Sequence, residues 1–164
     1  MTPPNTWQDV IGEWIDVRDM VLVLDTNAYA QHDVLSVAQE LELAAGVKGG
    51  TVLLQSIVVH DYDDNGRALD IVFTDAATAL GTINAAIDAD DAEAATILGT
   101  VRIVADDYDD YINGMQATKL NIGLPLKCAA DSTSIWVSTV YRDATGDTYT
   151  AAGIRLKIGL MYGM

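Results

Sequence analysis

An all-β fold, an antiparallel β-sandwich of jelly-roll-like type with a short helical or extended N-terminal arm, is predicted by three features of this 164-residue chain. Its apolar residues alternate with polar ones or gather in short runs, and only one segment shows helical spacing. Clusters of Gly, Asp, Asn and Ser punctuate the runs at short intervals. No strand–helix–strand rhythm of a parallel sheet is present. Half of the residues are hydrophobic. A chain of this length and composition builds one domain that buries about 70% of its unfolded surface.

Residues 1–20 read as the arm and 21–164 as the sandwich. After Pro3-Pro4, Thr6 and Asp9 stand in a capping-box spacing. Trp7, Val10, Ile11, Trp14 and Ile15 then recur on one helical stripe, which Gly12 weakens. Trp7, Ile11 and Trp14 are the candidate partner-binding residues, because tryptophan is enriched at contact anchors; the alternative is that they pack on the parent domain.

From Met20 the pattern turns to strands. "MVLVL" (Met20 to Leu24) predicts a short buried strand, and "DVLSVAQELEL" (Asp33 to Leu43) fits a strand or a short helix. "TVLLQSIVVH" (Thr51 to His60) is rich in β-branched residues, and Leu69, Ile71 and Phe73 alternate with Asp70, Val72 and Thr74. These two segments predict a β-hairpin with Asp64-Asn65-Gly66 at its tip, residues that tolerate positive φ. The alanine-rich, acidic stretch 75–98 predicts a long loop with a helical turn or two. "LGTVRIV" (Leu98 to Val104) is again a strand, and "ADDYDDYINGM" (Ala105 to Met115) a polar turn carrying four aspartates. "TKLNIGLPLKC" (Thr118 to Cys128) is extended. "STSIWVSTVYRD" (Ser132 to Asp143) and "AGIRLKIGLMYG" (Ala152 to Gly163) complete the sheets, the latter with the cleanest two-sided alternation in the chain.

The stretch D-Y-D-D-N-G (Asp61 to Gly66) spells the opening half of an EF-hand calcium loop. Asp61, Asp63 and Asn65 fill ligand positions one, three and five, and Gly66 the turning position. The closing glutamate position is Val72, however, and the water-anchoring position is Leu69. The flanks are strands where an EF-hand requires helices. The turn reading is preferred, no metal or cofactor is expected, and Asp61, Asp63 and Asn65 stay as weak calcium candidates.

Other chemistry is sparse. The two histidines, His32 and His60, sit in no nucleophile motif, and no G-x-S-x-G, zinc spacing or phosphate loop occurs. Cys128 lies among apolar neighbours and reads as a small buried hydrophobe. Aspartate runs (Asp88, Asp90, Asp91; Asp106, Asp107, Asp109, Asp110) read as solvated charge, so an enzyme is not expected. With 24 acidic and 9 basic residues the formal net charge is -15, which repels phosphate backbones and argues against nucleic acid as a partner. No apolar run approaches the length of a membrane span, and the N-terminal residues show no signal-peptide pattern. Lys119, Lys127, Arg142, Arg155 and Lys157 all fall in the last third, either as a docking face or as charges scattered over solvated strands.

The ordered segments "AYAQHDVLS" (Ala28 to Ser36), "LQSIVVHDYDDNGRALDIVFTDA" (Leu54 to Ala76), "ILGTVRIVADDYDDY" (Ile97 to Tyr111) and Asn121 to Met161 resemble the small acidic decoration, or cement, proteins of tailed bacteriophages. The resemblance implies a jelly-roll-like sandwich without catalysis that binds the outer surface of an assembled capsid and stabilises it. Its partners would be the major capsid protein and further copies of itself as dimer or trimer. Its place would be the virion surface, after assembly in the bacterial host cytoplasm. The Trp7/Trp14 segment departs from that family. A carbohydrate-binding or adhesion module is the rival reading, with Tyr108, Tyr111, Tyr141 or Tyr149 as stacking platforms, although packing of these tyrosines at strand ends is preferred; a head–tail or tail component is a third.

Overall fold

A computed structural model describes residues 15–162. Among these residues nine strands form two antiparallel sheets. They are β1 (Ile15–Val21), β2 (Val34–Leu41), β3 (Thr51–Asp61), β4 (Leu69–Thr74), β5 (Ile97–Ile103), β6 (Tyr108–Asp110), β7 (Met115–Lys127), β8 (Ile135–Tyr141) and β9 (Ile154–Tyr162). A single helical turn, α1 (Asp91–Ala94), precedes β5. The larger sheet runs β1-β9-β3-β7-β6 and the smaller β2-β8-β4-β5. β1 pairs with β9, β2 with β8, β3 with β7 and β4 with β5. The chain is thus a doubled-back ribbon whose successive rungs alternate between the two sheets, which is jelly-roll topology.

The alternation legible in the sequence sets the inner faces. Ile154, Leu156, Ile158 and Leu160 of β9 and Leu54, Ile57 and Val59 of β3 are fully buried. They join Leu69, Ile71 and Phe73 of β4, Ile103 of β5 and Val137 of β8 in one apolar cluster. Each such side chain contributes about 1.5–3 kcal/mol by leaving water. At one end of this core Tyr29, Tyr141 and Tyr149 pack with ring centroids 6.0–6.5 Å apart.

The outer faces of the two sheets differ. All six residues of β4 are buried, including those on its outward side. Val72 packs there with Val34, Leu80 and Val140, with Ile87 and Ala89 against them. The acidic loop 75–96 therefore folds over the smaller sheet and covers it. Its one helical turn is closed by a capping box, in which Asp90 accepts the Glu93 N–H at 2.8 Å and Glu93 accepts the Asp90 N–H at 2.9 Å. Asp70, also outward on β4, is neutralised where it lies. Arg102 grips it through two bonds of 2.7 and 2.9 Å, and Arg142 through a third of 2.7 Å.

Three sequence expectations are corrected. β3 and β4 do not form a hairpin, because β3 lies in the larger sheet and β4 in the smaller. Both edges of β3 are already taken, by β7 and β9, so β4 has no edge there to pair with. Residues 62–68 carry the chain across the sandwich, with Asp64 and Gly66 at φ of 61° and 59° as their turn-forming chemistry predicts. "MVLVL" is not buried throughout: Leu22 and Leu24 point inward, whereas Val21 and Val23 are exposed. β1 begins at Ile15, inside the segment assigned to the arm, so Ile15 belongs to a strand and not to a helical stripe. The ambiguous Asp33–Leu43 segment forms a strand, and the polar aspartate turn contains the short edge strand β6.

Candidate interaction face on the five-stranded sheet

While a loop covers the smaller sheet, none of the described residues covers the outer face of β1, β9, β3 and β7. Strand register sets its rows. Ile15, Met161, Leu53 and Pro125 form the first, and Val17, Gly159, Ser56 and Leu120 the second. Asp19, Lys157, Val58 and Thr118 form the third, followed by Val21, Arg155, His60 and Gln116. One end is therefore apolar, with Ile15 50% and Val17 58% exposed. The centre holds two cations, Arg155 and Lys157, against one carboxylate, Asp19, which stands 3.9 Å from Lys157. Asp109 of β6 continues the last row beyond Gln116 as a second carboxylate, so cations and carboxylates balance over these rows of a chain whose net charge is -15.

Beyond His60 the face opens into a cleft of about 260 Å³ bordered by Tyr62, Tyr111, Asn113, Met115 and Gln116. His60 and Tyr62 stack nearly parallel, with centroids 6.2 Å apart and planes at 9°. Tyr62 and Tyr111 are 54% and 62% exposed. Burial, together with the charges of Lys157 and Arg155, holds the His60 imidazole below its usual pKa. It is neutral at neutral pH and presents an aromatic surface.

The calcium candidates come together, but as a brace. The Asp61 carboxylate is buried and accepts the N–H groups of Asp63 at 3.0 Å and Gly66 at 2.9 Å. Burial raises its pKa, against the opposing pull of those N–H groups. Asp63 accepts the backbone N–H of Thr150 at 2.8 Å and its hydroxyl at 3.0 Å. Asn65 donates to the Thr148 carbonyl at 2.9 Å. Asp61 thus holds the sheet-crossing corner together, while Asp63 and Asn65 tie it to the segment before β9. Among the described residues no group of three or more His, Cys, Asp or Glu side chains is arranged to hold a metal.

Trp7, Ile11 and Trp14 lie outside the described residues. Of the tyrosines offered as sugar platforms, Tyr141 and Tyr149 are core residues and Tyr108 is partly buried against the core; only Tyr111 is exposed. Tyr62 carries no signal of its own in the sequence, since it stands between Asp61 and Asp63 in the EF-like stretch and only the fold places it beside His60. Cys128 is buried, and that burial pushes its thiol pKa up. Of the basic residues in the last third, Arg142 and Lys119 are committed to Asp70 and Asp107, whereas Arg155 and Lys157 share the open face. Their period-two spacing was visible; that β9 lies beside β3 was not.

No family model matches the chain. No curated protein matches it either. Among solved structures, a chain of desmodium yellow mottle tymovirus is similar over 92% of this chain and 82% of its own, at 10% identity and a TM-score of 0.29. That likeness is too distant to carry an argument, and the fold stands on the strand pairings themselves. Among the described residues no helix is long and apolar enough to cross a membrane.

Proposed function

We propose that this protein is a non-enzymatic structural component of a virion that binds the outer surface of a phage capsid and stabilises it. The observation that carries the reading is the open face of the larger sheet, set opposite a smaller sheet that the chain covers with its own loop. A rigid sheet that combines exposed aliphatic side chains, Arg155 and Lys157, and two accessible tyrosines has the composition of a docking surface. The acidic remainder keeps many copies soluble and repels nucleic acid. Jelly rolls serve in capsid proteins and in lectins, an argument by analogy of fold. The sequence resemblance to decoration proteins favours the capsid. Trp7 and Trp14 precede β1, the strand that borders this face, and are proposed as additional anchors.

The test is co-sedimentation with capsids of the encoding phage prepared without this protein. The double charge reversal Arg155→Glu/Lys157→Glu is expected to weaken binding at least tenfold while the sheet spectrum in circular dichroism is retained. Unchanged binding would refute this face as the docking surface, and no binding by the unaltered chain would refute the function.

The cleft at Tyr62 and Tyr111 supports a second reading as a carbohydrate-binding module, since an exposed aromatic beside Asn113 and Gln116 can stack on a sugar ring and bond its hydroxyls. Glycan-array binding that Tyr62→Ala and Tyr111→Ala abolish would establish it.

A further inference from the structure

The outer edge of β1 carries unused backbone hydrogen-bonding groups among the described residues. β1 ends the larger sheet, and among the described residues no strand lies on its other side. Backbone polarity alternates along it. The Leu22 N–H donates to Ile154 on the β9 side, whereas the Val21 carbonyl and Val23 N–H turn away from β9. Those two are held by the Gln39 side chain at 2.9 and 3.0 Å. By the same alternation Ile15, Val17 and Asp19 present their N–H and C=O groups to the open side. No Pro or Lys blocks these positions, although edge strands are commonly protected that way.

We infer that the protein forms a two-fold symmetric dimer in which β1 pairs antiparallel with β1 of its partner, centred on Val17. That register sets Val17 opposite its own copy and Ile15 opposite Asp19, so all three outward-facing residues become hydrogen-bonded pairs. It also places Asp16 opposite Arg18 of the second copy, twice by symmetry. Within one chain these two side chains already form an ion pair, partly exposed at the rim of the sandwich. The two charges of "IDVRD" are thus self-complementary about Val17. The result is a continuous ten-stranded sheet whose two open faces lie side by side, an isologous interface of the kind that closes upon itself. This inference stands apart from capsid binding and does not require it.

The experiment is sedimentation equilibrium and native mass spectrometry of the full chain over a concentration series. The unaltered chain is expected to show a concentration-dependent dimer. Val17→Pro removes an N–H that β9 does not use, and is expected to give a folded monomer. Asp16→Arg and Arg18→Asp each set like charges opposite one another and are expected to weaken the dimer about tenfold or more. Mixed together, these two variants restore opposite charges only between chains, because the pair within each chain remains like-charged. Recovery of the mixed dimer is therefore the expected result. A chain that stays monomeric, a dimer that survives in folded Val17→Pro, or a mixture no tighter than either variant alone overturns the inference. Should Val17→Pro lose its sheet spectrum, the mixed pair decides.

Discussion

The side chain of Gln39, on the smaller sheet, donates to the backbone carbonyl of Val21, on the larger one, at 2.9 Å. The same carboxamide accepts from Val23 N–H at 3.0 Å and from the Ser36 hydroxyl at 2.9 Å. One amide thus finishes the exposed end of β1 and ties the two layers at their rim. Gln39→Leu removes these bonds, but water can replace them at so exposed a position. The expected cost is about 1 kcal/mol, a fall of about 2–4 °C in melting temperature by calorimetry.

Asp70 is nearly inaccessible yet charged. Burial alone would raise its pKa, but Arg102 and Arg142 together hold it below the usual carboxylate range. Asp70→Asn leaves both guanidinium groups without their carboxylate. Because Arg102 reaches solvent, the expected loss is about 2 kcal/mol, below that for a wholly buried pair. A group whose native pKa is lowered stabilises the fold above its unfolded pKa, about 3.9, and ceases to as pH falls through the lower native value. Acid titration followed by circular dichroism should accordingly show a shallower loss of stability in the variant.

His60 gives the corresponding effect at milder pH. Its native pKa is lowered by burial and by Lys157 and Arg155. Its contribution is complete above the unfolded value of about 6.5 and is lost as pH falls through the native one. His60→Gln has no such transition. Melting curves between about pH 7 and pH 5 should show the unaltered chain losing more stability than the variant; parallel curves would contradict the assignment.

Calcium is expected to leave the melting temperature unchanged, because the Asp61 and Asp63 oxygens are occupied by backbone N–H groups and Thr150. Asp61→Ala should destabilise in EDTA and in calcium alike, by about 1–3 kcal/mol for the donors left unsatisfied. A calcium-dependent rise in the unaltered chain would show that the brace opens to admit the ion.

Faces were legible in the sequence and partners were not. The alternation in Ile154–Tyr162 set which side chains of β9 enter the core, and the β-branched run at 51–60 did the same for β3. Neither shows that β9 lies between β1 and β3, because period two specifies a side of a sheet and is silent about neighbours. The hairpin expected at 61–66 failed for this reason: the turn chemistry of Asp64 and Gly66 was right, but a jelly roll uses the turn to change sheets. Asp70 and Thr74 fall on the polar side of the β4 alternation, yet they are buried, because Arg102 and Arg142 reach Asp70 from elsewhere in the chain and the loop that follows β4 folds back over its outer side. The open face was similarly hidden, since Arg155 and His60 are distant in sequence and meet only through register.

The doubled-back ribbon also orders events in time. β4 and β5 are separated by the loop 75–96, β3 and β7 by more than fifty residues, and β1 and β9 by well over a hundred, so the rungs close from the inside outward at rising entropic cost. β9, the last described strand to be synthesised, must insert between β1 and β3, and both wait for it on the ribosome. Refolding is expected to be slow for a domain of this size. A nascent chain halted before residue 154 would hold two strand edges of unpaired N–H and C=O groups that only β9 can join.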